Sequence, residues 1–281
     1  MDADAPFPQL VFSGGGLRCF WQGGFQNVLR DRLVPNPERI ASVSGGALGS
    51  AAWIAHKGHE LRDTMCAKFD ELDSNVDPHA PVDGQRGLSP HQQTYRDVAE
   101  EVLTDRAVQD IVNGPPLQIL IGHPPSGALD AASGTLATFA YEAELHTVAS
   151  PHFSWAEKLG VTSTLVDATR AAREGRLADL CWAAATIPPI FEPPEWDGRP
   201  VIDGGMADQA PMPEPDEGPT LVMLTREYSG LTPVAGRLYV WPSDDVPADK
   251  IDFTDPDKIR ETWRAGERDA ERYLAGEFIT C

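Results

Sequence analysis

Two successive strand, glycine turn, helix units open this chain, and they constrain its fold more than anything else in it. Gln9 to Ser13 reads as a short buried strand, three glycines follow at Gly14 to Gly16, and a helical pattern then runs through Leu29 and Leu33. Arg39 to Val43 reads as a second short strand. Gly45 to His56, rich in Ala, Leu and Trp and free of proline, reads as the helix after it, with Ser44 in the turn between.

The alternation continues. Leu117 to Ile121, Leu165 to Asp167, Val201 to Asp203, Thr220 to Leu224 and Leu238 to Trp241 read as strands, and Ala128 to Val148 and Leu177 to Ala185 as helices. Strands alternating with helices imply a three-layer α/β/α fold around a mixed, mainly parallel sheet. Residues 58–114 read as mostly helical, with apolar residues at helical spacing in Glu60 to Leu72 and His91 to Leu103, a stretch expected to form a cap or insertion over the site. Asp257 to Leu274 has the pattern of an amphipathic surface helix. With 281 residues, 41% of them hydrophobic, one domain with one core is expected over 1–281.

Composition excludes several functions. A net charge of −20 opposes binding to nucleic acid, whose affinity comes from clustered Lys and Arg. No apolar stretch approaches the roughly 20 residues that cross a bilayer, so membrane contact is expected to be peripheral. The start, Met1 to Gln9, is acidic and lacks a basic, then apolar leader; with Cys19, Cys66, Cys181 and Cys281 scattered without metal or disulfide spacing, a cytoplasmic protein with reduced thiols is expected. No metal or organic cofactor is implied, and no pattern encodes an oligomeric state.

Chemistry concentrates at the turns. Ile40-Ala41-Ser42-Val43-Ser44-Gly45-Gly46-Ala47 places a serine on a sharp strand-to-helix turn followed by tiny residues, as a nucleophile elbow requires. Taken alone, the same residues equally describe an ordinary helix start with Ser44 as N-cap. Gly14, Gly15 and Gly16 suit presentation of N–H donors to an oxyanion; a dinucleotide fingerprint would need glycine where Cys19 stands, and a phosphate loop would need a Gly-Lys-Ser/Thr ending. Asp203-Gly204-Gly205 closes a short strand with an acid at the turn, which by itself is a common Asp-Gly turn.

Together, in this order, the three pieces resemble the patatin-like phospholipases, whose hallmarks are a glycine-rich oxyanion turn, a Gly-x-Ser-x-Gly elbow and an Asp-Gly-Gly or Asp-Gly-Ala turn. Ala183-Ala184-Ala185-Thr186-Ile187-Pro188-Pro189-Ile190-Phe191-Glu192-Pro193, followed by Asp197-Gly198-Arg199 and Asp203-Gly204-Gly205, is similar to the family's long second signature. The resemblance runs from about Leu10 to Leu224 and implies a serine acyl hydrolase acting on a lipid or lipid-like ester. It implies Ser44 as nucleophile, Asp203 as base, Gly14, Gly15, Gly16 and Gly45 at the oxyanion hole, and Arg18 as a basic residue at the substrate. Ser42 departs from the elbow's first glycine, and Cys19 from the glycine that often closes the turn.

None of the seven histidines follows Asp203, so a triad in the order Ser, acid, His cannot use that acid. A different order through His146 or His152 stays open, although neither stands beside a catalytic turn. The resemblance implies a Ser-Asp dyad. It leaves two rivals: acyl transfer to an acceptor other than water through the same acyl-enzyme, and a catalytically silent lipid-binding module.

Overall fold

The computed structural model describes residues 7–33, 36–70, 90–125, 149–152, 158, 160–187, 193–249 and 255–277. Strand β1 (Gln9–Phe12) leads through a 3-10 turn (Gly16–Cys19) into α1 (Phe20–Leu33), and β2 (Arg39–Val43) leads through Ser44 into α2 (Gly45–Ile54). Next come α3 (Gly58–Asp70), α4 (Pro90–Val102), α5 (Asp105–Asn113), β3 (Leu117–His123) and β4 (Thr162–Asp167). Helices α6 (Ala168–Arg173) and α7 (Leu177–Ala184) precede a hairpin, β5 (Glu195–Trp196) and β6 (Arg199–Pro200), and then β7 (Ile202–Asp203). Strands β8 (Thr220–Met223) and β9 (Arg237–Val240) and helix α8 (Pro256–Leu274) complete the described chain.

The main sheet has the order β4-β3-β2-β1-β8-β9. Its inner pairs are parallel, whereas β4 and β7 both run antiparallel to β3. Side chains of a strand alternate between faces, and the core follows that period. Leu10, Phe12, Ile40, Leu221 and Met223 join Trp21, Phe25, Leu48 and Trp263 in one cluster, while Val11, Ala41, Val222 and Tyr239 face another with Ala210 and Tyr228. The expected α/β class, a mixed and mainly parallel sheet flanked by helices, is what the structure shows. Helices α3, α4 and α5 insert Leu61, Met65, Val98 and Ile111 into the same cluster as the strands.

Several elements differ from the sequence reading. Strand β3 continues to His123 because β4 pairs with it that far, His123 lying opposite Thr162. Strand β4 begins at Thr162 and not Leu165, since its first residues are exposed and polar and carry no apolar pattern. Helix α6 was not read; Asp167 caps it, its Oδ1 accepting from the Arg170 N–H at 2.9 Å. The β5–β6 hairpin was missed too, although its turn is Asp197-Gly198 with φ of 50° and 75°, the positive pair that a tight hairpin turn demands. The helix expected over Ala128 to Val148 lies outside the described residues.

Helix α8 lies against α1 and buries Ile259, Trp263 and Ala270. Asp269, 4% exposed, fastens it: Oδ2 accepts from Trp21 Nε1 at 2.8 Å and from the Ser243 N–H at 3.1 Å, and Oδ1 accepts from Ser243 Oγ at 2.6 Å. Removing this carboxylate leaves the buried Trp21 N–H without an acceptor, at about 1–3 kcal/mol, and also breaks the two bonds from the exposed Ser243. Asp269→Ala is therefore expected to lose about 2–4 kcal/mol in urea denaturation; unchanged stability would show that the carboxylate does not hold the helix.

Candidate active site

Strand β3 brings the two turns together. Val43, the last residue of β2, pairs with Leu120, and Asp203 pairs with the next residue, Ile121. The residue after Val43 and the last residue of β7 therefore meet along one strand edge. Ser44 Oγ donates to Asp203 Oδ2 at 2.6 Å, and both residues are only 3% exposed. The other carboxylate oxygen, Oδ1, accepts from the Gly205 N–H at 2.7 Å, which fixes the rotation of the acid.

Ser44 sits at φ 55°, ψ −134°, a conformation that costs a side-chain-bearing residue about 1–3 kcal/mol and lifts the hydroxyl out of the strand line. Two close approaches allow the turn. A Cβ on Gly45 would lie 2.6 Å from the Gly16 carbonyl oxygen, and one on Gly204 would lie 2.2 Å from the Leu120 carbonyl oxygen, so only glycine lets elbow, oxyanion turn and acid turn touch.

The glycine turns behave unequally. Among the described residues no backbone acceptor takes the N–H of Gly15, Gly16 or Gly45. Gly14 does not join them: its N–H donates to the Gln209 carbonyl at 2.8 Å. Arg18, expected at the substrate, follows in the same turn. Its N–H and Nε face the Gly15 carbonyl at 3.3 and 3.5 Å, and its side chain lines a separate polar basin with Thr225, Ser243 and Lys258.

Rival nucleophiles and bases are committed to other partners. Burial pushes the Cys19 thiol up to about 12, so it stays protonated at neutral pH. Ser42 is buried and donates to the Gln118 carbonyl at 3.5 Å while accepting from Ser50 Oγ at 2.9 Å, which satisfies the hydroxyl that replaces glycine there. His123 contacts Pro200 O and Thr164 Oγ1, and His152 contacts Asp208 and Tyr239. His79 and His146 lie outside the described residues.

A family model described as Patatin-like phospholipase matches residues 10–216, which include the elbow, the glycine turn and the Asp-Gly-Gly turn. The chain belongs to the patatin-like phospholipase family. Membership supports lipid acyl hydrolase activity in general. Among solved structures, VipD from Legionella pneumophila is similar over 98% of this chain and 68% of its own, at 10% identity and a TM-score of 0.46. No curated protein matches the chain. No described helix is long and apolar enough to cross a membrane. Of this patatin-like chain's second signature, residues 188–192 lie outside the described residues.

One residue of the patatin-like site escaped the sequence reading. Gln209 accepts from Gly14 N–H through its carbonyl, donates from Nε2 to the Gly205 carbonyl at 2.7 Å, and donates its own N–H to the Pro151 carbonyl at 2.9 Å. It therefore bridges the oxyanion turn and the acid turn. Nothing in its spacing announces this, because a buried amide has no sequence signature.

Two outcomes follow from this geometry. Ser44→Gly relieves the elbow and is expected to gain about 1 kcal/mol over Ser44→Ala in denaturant unfolding; equal stability would mean the turn is not strained. Gln209→Leu breaks the bridge and is expected to slow fluorophosphonate labelling of Ser44 about 10²-fold with the fold retained by circular dichroism, as for a misplaced reacting group.

Proposed function

We propose that the protein is a serine acyl hydrolase of the phospholipase A, lysophospholipase or lipid esterase type, cleaving carboxylic esters through a Ser44–Asp203 dyad. The observation that carries this reading is the 2.6 Å hydrogen bond from a strained, buried elbow serine to a carboxylate already anchored by a backbone N–H.

Ser44 Oγ attacks the ester carbonyl carbon while its proton passes to Asp203 Oδ2. The carbonyl oxygen becomes an oxyanion, received by the N–H groups of Gly15, Gly16 and Gly45; such a donor is typically worth about 2.7–4 kcal/mol. Collapse breaks the bond to the alcohol, which leaves with the proton from Asp203. A water then gives a proton to Asp203 and attacks the acyl-serine; the second collapse returns Ser44 as a free hydroxyl and releases the carboxylic acid. In this reading residues 1–281 act as one domain, and the helices within 58–114 cover the site. Contact with a lipid surface is peripheral.

Hydrolysis of p-nitrophenyl butyrate by wild type, Ser44→Ala and Asp203→Asn tests the proposal. Both folded variants are expected to lose about 10³-fold or more in kcat/KM. Activity surviving in Ser44→Ala would remove its basis.

A further inference from the structure

Ser44 opens on a cavity of about 370 Å³ that runs along two helices. Its walls are one face of α1, with Phe20, Gly23, Asn27 and Arg30, and one face of α2, with Leu48, Gly49 and Trp53. On α1 they recur every three or four positions, and on α2 Gly49 and Trp53 stand four apart beside Leu48, so each helix contributes a continuous stripe. Leu61, Met65 and Trp263 close the apolar section. At the far end the lining turns polar: Arg30 donates to the Trp53 carbonyl, and its Nη2 lies 3.1 Å from His56 Nε2. From Ser44 to the end of α2 the rise is about 15 Å at 1.5 Å per residue.

Gly49 stands in the middle of α2, where glycine disfavours a helix relative to alanine. Its neighbours Gly45 and Gly46 are crowded, a Cβ on either meeting backbone oxygen at 2.6 Å. A Cβ on Gly49 meets no heavy atom within 4 Å. Packing therefore does not require this glycine, and the open space beside it is the cavity.

We propose that the cavity is an acyl channel and that Gly49 is the residue that sets which chains enter it. The ligand class is an ester of a long, unbranched acyl chain. Its carbonyl sits at Ser44, its hydrocarbon lies along α2 past Gly49, and the Arg30–His56 pair limits its length. The apolar wall accepts hydrocarbon and disfavours a polar alcohol group, which assigns the channel to the acyl side of the ester. A butyryl chain stops short of Gly49, about 7.5 Å beyond Ser44 along the helix; a dodecanoyl chain must pass it. The inference rests on the acyl-hydrolase reading above.

The test uses p-nitrophenyl butyrate and p-nitrophenyl dodecanoate in detergent micelles, with wild type and the series Gly49→Ala, Gly49→Leu and Gly49→Phe. Wild type is expected to favour dodecanoate in kcat/KM. The dodecanoate-to-butyrate ratio should then fall stepwise with side-chain size, tenfold or more by Phe, while Gly49→Ala melts no lower than wild type. A ratio constant across the series, a wild-type preference for butyrate, or a destabilised Gly49→Ala would overturn the proposal. If Gly49→Phe fails to fold, the Ala and Leu variants decide. Wild type that cleaves neither ester removes the hydrolase reading and this inference with it; cleavage of butyrate without the chain-length response removes the inference alone.

Discussion

The pairing of β3 with both β2 and β7 is the constraint on which the rest of the site depends. Leu120 and Ile121 are adjacent, and they hold Val43 and Asp203, residues 160 positions apart in the chain, on one strand edge. A one-residue slip of either strand would turn its side chains to the opposite face and separate Ser44 from Asp203. Gly45 and Gly204 belong to the same constraint, since a side chain at either would push the turns apart.

Burial then gives the pair its character. Ser44 and Asp203 are almost wholly withdrawn from solvent, and the acid accepts short hydrogen bonds from the Gly205 N–H and from the serine. A buried carboxylate so held is oriented before any substrate arrives, which is the preorganisation that charge development in a transition state requires. The same withdrawal from water silences Cys19, a thiol only a turn away that stays protonated. Gln209 ties Gly14 to Gly205, so the glycine turn and the acid turn are joined through one residue.

Much of this was legible from local pattern. Short apolar runs announced β1, β2, β3, β8 and β9 because parallel strands are buried on both faces. Glycines beside a serine announced the elbow because a tight turn tolerates little else. Strand β4 stayed partly hidden because its exposed residues carry no apolar pattern, and the β5–β6 hairpin because its two-residue strands are too short to show one. Motif position put Gly14 at the oxyanion hole and Arg18 at the substrate. In the structure the Gly14 N–H meets the Gln209 carbonyl and Arg18 faces the Gly15 carbonyl, because a motif records which residues recur and not where each N–H points.

By itself the sequence determined the α/β class, the elbow at Ser44, the glycine turn before α1 and the acid turn at Asp203, since each depends on the chemistry of a few neighbouring residues. Tertiary structure alone decided that Ser44 and Asp203 meet at 2.6 Å, which glycine N–H groups stay open, that Gln209 bridges the turns, and that a cavity follows α2 past Gly49. Those facts arise between segments far apart in the chain, where strand register and helix packing, and not local propensity, set the distances.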